Sequence, residues 1–134
     1  MKKITLLTLL IGFSTYAQNT VDFESGGVGT DWTWVVDQNG ANPALVIESN
    51  PNTTGVNTSA TAAKFTATAN GEPWALTYTD NIGSITFTED NSIVKMMVRK
   101  NVATSVAIKF EDSANPAFYK QIEVSNTVTN GDWE

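Results

Sequence analysis

The chain contains no cysteine and no histidine. Without cysteine there is no disulfide, no thiol for lipid attachment and no thiolate nucleophile. Without histidine there is no imidazole to serve as the base of a serine triad, and the two absences together remove the usual zinc ligands. Basic residues are also scarce, eight against fourteen acidic ones. Nucleic-acid partners are therefore not expected, since they require clustered Lys and Arg to displace counterions. No helical periodicity stands out, and "GGVG" at Gly26 to Gly29 precedes no helix pattern, so it reads as a flexible turn and not as a phosphate loop. Paired carboxylates could still do acid–base work on sugars. The acids here fall in turns and at strand ends, however, and no pair is singled out, so this chain by itself is read as non-catalytic.

Long apolar runs are equally rare. The main one, Ile4 to Phe13, follows Lys2 and Lys3 and ends in small residues up to Ala17. A membrane anchor would need about 20 apolar residues. The run is shorter, and a basic start, an apolar middle and a small-residue end describe a secretory signal peptide over residues 1–17. The expected location is outside the cell or on its surface, with no membrane span in the mature chain. From residue 18 onward there are six basic and fourteen acidic residues, a net charge of −8. With no cysteine, that mature part must be held by packing, or by packing and a metal. Its length suits one domain, residues 18–134.

What the sequence has in abundance is strand and turn chemistry. Short runs rich in Val, Ile, Thr and aromatics alternate apolar with polar residues and are separated by Gly, Asn, Asp and Pro. Strands are predicted near Val21 to Glu24, Trp32 to Asp37, Ala44 to Glu48, Ala62 to Thr68, Trp74 to Thr79, Ser84 to Thr88, Ile93 to Arg99, Ser105 to Phe110 and Phe118 to Val124. Many short strands with no helix point to an all-β, antiparallel β-sandwich of the jelly-roll kind.

Alternation sorts the faces. Val94, Met96 and Val98 share one side of their strand, as do Val106, Ile108 and Phe110, and Ile122 and Val124. These are read as core. If the three strands are neighbours, Lys95, Met97, Arg99, Lys109, Tyr119, Gln121 and Glu123 form one outward platform. A ring that covers the apolar face of a pyranose, beside polar groups that bond hydroxyls, is the chemistry of a sugar-binding surface. The plain alternative is a solvated sheet face stitched by cross-strand charge pairs. Trp32, Trp34 and Val36 lie two apart and share a side, which favours packing for at least one tryptophan. Trp74 follows the turn "NGEP" and shares a side with Leu76 and Tyr78. It is either half-buried packing or a stacking platform for ligand.

The segment "ESNPNTTGVNTSATAAKF", Glu48 to Phe65, is the densest in turn formers. Its Asn, Thr and Gly residues suit tight turns. They also carry side-chain and main-chain oxygens, and Asp22 and Glu24 share one side of the first predicted strand, so a calcium site is conceivable. Turn capping beside ordinary surface acids explains the same residues.

The stretch "NPNTTGVNTSATAAKFT", Asn50 to Thr66, resembles a signature (NP, three residues, G, x, N, x, S) of carbohydrate-binding-module-like domains in secreted polysaccharide-degrading proteins of Bacteroidetes. The flanks are similar too: "DFE" at Asp22 to Glu24, an early tryptophan strand at Trp32 to Trp34, "EPWA" at Glu72 to Ala75, "KMMV" at Lys95 to Val98, "VAIKFED" at Val106 to Asp112, and "TNGDWE" at Thr129 to Glu134. The resemblance extends over Val21 to Glu134.

It implies a galactose-binding-like β-sandwich that assists a glycan-active enzyme as one module of a longer chain, with a polysaccharide or oligosaccharide as partner. It further implies a structural calcium shared by the first strand and the Asn-rich loop, with Glu24, Asn57 and the backbone around Thr54 as ligands, and another acid just after Trp133. The family pattern continues with a tryptophan and a strand ending in Asp-Phe, whereas this sequence stops at Glu134. The expected domain is thus a sandwich lacking its last strand or strands. The ligand candidates are Tyr119, Gln121, Glu123, Lys109, Arg99, Lys95 and Trp74. The alternative to a glycan binder is a structural or adhesive sandwich in a surface protein.

Overall fold

The computed structural model describes residues 20–37 and 42–134. The signal-peptide reading of residues 1–17 lies outside the described residues. Among the described residues six strands follow one another: β1 (Val35–Asp37), β2 (Val46–Ser49), β3 (Thr61–Lys64), β4 (Leu76–Tyr78), β5 (Ser105–Glu111) and β6 (Tyr119–Ser125). They pair as three two-stranded antiparallel sheets, β1 with β4, β2 with β3, and β5 with β6. There is no helix among the described residues, and hence none long and apolar enough to cross a membrane. The chain is all-β, as its alternating pattern predicts.

The longest pairing is the β5–β6 ribbon, whose register runs from Ser105 opposite Ser125 to Glu111 opposite Tyr119. Its two ends are held by turn and cap chemistry. At one end Asp112 N donates to Phe118 O at 3.0 Å, and Asp112 Oδ1 accepts from Ala114 N at 2.8 Å, folding "DSANPAF" into consecutive turns. At the other end Asn126, 5% exposed, ties three main-chain groups together. Its Oδ1 accepts from Thr104 N at 2.9 Å, and its Nδ2 donates to Val102 O and Val128 O, both at 3.0 Å. A buried amide with every partner satisfied is worth more to the ribbon's register than its single residue suggests, because each orphaned partner would carry a desolvation cost.

Three predicted strands take other forms. Around Val21 to Glu24 the chain turns: Phe23 adopts a left-handed φ of 58°, and the amides of Asp22 and Phe23 both donate to Val28 O at 3.0 Å. Asp22 Oδ1 accepts from the amides of Glu24 and Val28, closing the loop from inside. Gly29, at φ 103°, fits here because a Cβ would come within 2.6 Å of the Val21 side chain. Ser84 to Thr88 contributes a single bridge, Thr88 to Asn91, because the chain reverses at once over "TEDN". Among the described residues Ile93 to Arg99 has no strand neighbour, and only Val98 is paired, exchanging both main-chain bonds with Glu134 (2.8 and 3.0 Å).

Aromatic packing follows the alternation. Trp32, Trp34 and Val36 are half-buried while Thr33 and Val35 are exposed. The rings of Trp32 and Trp34 lie 6.0 Å apart, and Phe23 meets Trp34 at 5.6 Å. Phe110 of β5 meets Phe87 edge-on at 5.0 Å. Among the described residues the only buried apolar side chain is Ala62, at 8% exposure, and the other buried residues are Gly29 and the asparagines Asn50, Asn57 and Asn126. The core is thus shallow. Apolar faces of the small sheets remain open, and loops held by polar side chains carry much of the local order.

Candidate functional site

The ribbon's register decides which side chains share a face, since residues directly opposite project the same way. Lys109 faces Gln121, Ala107 faces Glu123, and Glu111 faces Tyr119. Lys109, Glu111, Tyr119, Gln121 and Glu123 therefore occupy one side of the ribbon. The other side carries Val106, Ile108, Phe110, Ile122 and Val124, with Lys120 at its end.

On the polar side Lys109 Nζ sits 4.7 Å from the centre of the Tyr119 ring and also pairs with the Glu111 carboxylate. Tyr119 is 60% exposed. Neither contact is strong: an exposed cation–π contact contributes about 0.5–1 kcal/mol and an exposed ion pair about 0–1 kcal/mol. The lysine therefore caps one face of the ring loosely and can be displaced by a ligand with a better claim on it.

The remaining ligand candidates lie elsewhere. Arg99 Nε donates to Gly131 O at 2.5 Å, and its guanidinium packs so closely on Gly131 that a Cβ there would meet Nη2 at 3.1 Å. Lys95 lines an apolar trough on the opposite side of the ribbon. Trp74, 60% exposed, stands in the turn that leads into β4, where Ala75 N donates to Glu72 O at 3.1 Å. The structure thus unites Lys109, Tyr119, Gln121 and Glu123 and leaves Lys95, Arg99 and Trp74 apart from them. The cause is local: the segment 93–99 does not pair with β5, so it does not extend the face.

The Asn-rich loop between β2 and β3 is built around Asn50, 8% exposed. Its Nδ2 donates to Ser59 O at 2.8 Å and Asn57 O at 3.4 Å, while its Oδ1 accepts from Asn52 N at 2.9 Å and from the indole Nε1 of Trp133 at 3.0 Å. Asn52 Nδ2 reaches Asp132 Oδ1 at 2.8 Å. The loop and the segment around Trp133 form one hydrogen-bonded unit. Sequence reasoning valued Asn50 for its spacing and overlooked this role, and it overlooked Asn126 altogether. An Asn directly after the last residue of a strand is the signal that could have found both.

The calcium candidates already serve this loop. Glu24 Oε1 accepts from the amides of Ala60 (2.5 Å) and Thr61 (3.4 Å), and Thr61 Oγ1 donates to Phe23 O at 2.6 Å, pinning the first turn to β3. Asn57, 5% exposed, accepts from Ser59 N at 3.1 Å through Oδ1, and Thr54 Oγ1 donates to Asn52 Oδ1 at 2.6 Å. Among the described residues Glu24 Oε2 accepts no hydrogen bond. No group of three or more Asp and Glu that could hold a metal occurs among the described residues. The set around Glu24 supplies one carboxylate, and calcium affinity rises with the count of charged ligands.

Near the ribbon's base, the Glu134 carboxylate accepts from Thr127 N (2.8 and 3.0 Å), Thr127 Oγ1 (2.8 Å) and Val128 N (3.1 Å). The Thr127 amide above all holds its pKa below the ordinary glutamate value; desolvation opposes it, and the Thr127 hydroxyl and the Val128 amide add to the lowering.

Comparisons of the chain with protein families, with curated proteins and with solved structures found no match.

Proposed function

We propose that this chain is a secreted, non-catalytic carbohydrate-binding module of the galactose-binding-like sandwich type, acting beside a glycan-degrading domain in a longer protein. The observation that supports it best is the polar side of the β5–β6 ribbon, where an exposed tyrosine ring stands in register with an amide, carboxylates and an amine. A pyranose presents an apolar face of C–H groups and a rim of hydroxyls. Tyr119 offers the stacking surface once a sugar displaces Lys109 from the ring, while Gln121 and Glu123 offer donors and acceptors for the rim. Secretion rests on the leader-like residues 1–17. A structural calcium at Glu24, Asn57 and the backbone near Thr54 belongs to the same proposal and would act on the loop, away from the sugar face.

A structural or adhesive module is the second reading, and the open apolar faces of the small sheets favour it. Electrophoresis through gels containing soluble polysaccharides separates the two. A carbohydrate-binding module is retarded by at least one plant or marine glycan, and Tyr119→Ala abolishes the retardation. An adhesive module migrates alike in every gel and tolerates the substitution.

A further inference from the structure

Every basic residue from residue 18 onward lies in the described part of the chain, and each has a place there. Lys64 pairs with Glu48 at 3.3 Å on the β2–β3 sheet. Lys100 donates to the Thr104 hydroxyl and to Ser105 O, at the end of the ribbon far from Tyr119. Arg99 is held by Gly131 O, Lys95 lines the apolar trough, and Lys120 projects from the other side of the ribbon. Lys109 alone stands on the tyrosine side, where its ammonium is engaged with the Glu111 carboxylate and the Tyr119 ring.

Acid is distributed otherwise. Glu111 lies directly opposite Tyr119 in the register, so the two side chains start about 5 Å apart. Glu123 lies further along β6 on the same side, about 13 Å from Tyr119, and among the described residues no cation pairs with it. A glycan chain laid along β6 passes both carboxylates. Two carboxylates and one ammonium leave this side net negative.

The chemistry of the ligand follows from that balance. A sugar that stacks on Tyr119 displaces the ammonium from the ring, but the tether keeps Lys109 beside Glu111, where the ion pair survives. The sugar therefore meets carboxylates and no unpaired cation. Hydroxyls suit such a surface, because each donates one hydrogen bond and a carboxylate accepts several, strongly. A uronate or sulfate group only accepts, so it gains no bond from Glu111 or Glu123 and adds like-charge repulsion.

We propose that the tyrosine side of the β5–β6 ribbon selects uncharged glycans and rejects uronate-bearing or sulfated ones. Glu111 and Glu123 are the rejecting groups, and the pairing of Lys109 with Glu111 withholds its charge from the ligand. The proposal rests on the carbohydrate-binding reading and adds the substrate class to it. The opposite assignment, a lysine that anchors an acidic sugar, needs an ammonium free of carboxylate on this side, and among the described residues there is none.

The test uses the full chain with galactomannan, laminarin and cereal β-glucan, each as the neutral polymer and with its primary alcohols oxidised to carboxylates. Isothermal titration calorimetry at low salt gives the affinities. At least one neutral polymer is expected to bind, about fivefold or more tightly than its oxidised form, with the gap narrowing as salt screens the repulsion. Glu111→Gln, at an exposed position, frees Lys109 and is expected to raise the affinity ratio of oxidised to neutral polymer about threefold or more. Glu48→Gln removes the same charge on the β2–β3 sheet and leaves that ratio unaltered, with circular dichroism of both variants matching the parent. Equal or tighter binding of the oxidised polymers would overturn this proposal and leave the carbohydrate-binding reading standing. A ratio that rises as far in Glu48→Gln as in Glu111→Gln would overturn it in favour of selection by the net charge of the chain. Absence of binding by every polymer would overturn the carbohydrate-binding reading itself, and this proposal with it.

Discussion

The indole Nε1 of Trp133 donates to the side-chain oxygen of Asn50 across 3.0 Å, joining residues 83 positions apart in the chain. Asn50 spends its remaining capacity on the loop itself, so one amide couples the β2–β3 connection to the segment that reaches Val98 and the ribbon's base. Such an arrangement explains why an asparagine is among the few buried residues of a molecule with so shallow a core.

Replacing Asn50 by Ala orphans the Trp133 indole, the Asn52 amide and the Ser59 carbonyl. The expected cost is about 1–3 kcal/mol, seen as a melting point lower by several degrees. Asn50→Asp should be worse at neutral pH, because it sets a carboxylate against the carbonyls of Ser59 and Asn57, which now lack a donor. Thermal unfolding followed by tryptophan fluorescence at pH 7 ranks the three proteins. An Asp variant as stable as the parent would refute this account of the loop.

Asn126 makes a parallel case at the base of the ribbon. Its three side-chain bonds to Thr104, Val102 and Val128 hold the two strands in register where they leave the sheet. Asn126→Ala is expected to cost about 1–3 kcal/mol and to speed amide exchange first near Ser105 and Ser125, the strand ends nearest the lost clamp. Uniform acceleration along both strands would mean that the clamp does not act locally.

How much of this was readable beforehand varies with the physical origin of each feature. The β5–β6 ribbon was legible because its alternation is clean over seven residues and a period of two leaves little choice of face. Trp32, Trp34 and Val36 were legible for the same reason. Val21 to Glu24 reads as a strand by composition, yet the Asp22 carboxylate bonds the amides of Glu24 and Val28 and turns the chain. Side-chain competition of that kind leaves no periodic trace. Ile93 to Arg99 has a strand's pattern without a strand's partner, since pairing belongs to the tertiary structure and not to the segment. Arg99 likewise counted as a platform residue until its neighbour Gly131, 32 residues away, accepted its guanidinium.

Lys109 tests the sugar-face proposal from another side. It covers one face of the Tyr119 ring, so a pyranose that stacks on that face must displace it at a cost of about 1 kcal/mol. Lys109→Ala is then expected to strengthen glycan binding a few-fold in affinity electrophoresis, while Gln121→Ala weakens it. If Lys109→Ala abolishes binding instead, the amine itself bonds the sugar and the stacking face is the other one.

Calcium offers a prediction of small size. With a single carboxylate in the set around Glu24, binding should be weak, in the range of about 0.1–1 mM typical of extracellular modules. At 10 mM calcium the stabilisation expected from mass action is about 1–3 kcal/mol. Glu24→Gln should remove that response while keeping one acceptor for the Ala60 amide. A rise in melting point that persists in Glu24→Gln would place the ion elsewhere.

Glu134 carries the pH dependence. Its carboxylate is more acidic in the folded chain than in the unfolded one because the Thr127 and Val128 donors favour the charged form. A group whose folded pKa is depressed stabilises the fold fully above its unfolded value, and that contribution fades as pH falls through the folded value. Stability should therefore be level from neutral pH down to the ordinary glutamate range and decline below it. Glu134→Gln should be less stable than the parent at pH 7, with the gap closing as acid protonates the parent's carboxylate. Melting curves from pH 7 to pH 3 read this directly, and a gap that stays constant across that range would show that it does not arise from the charge on Glu134.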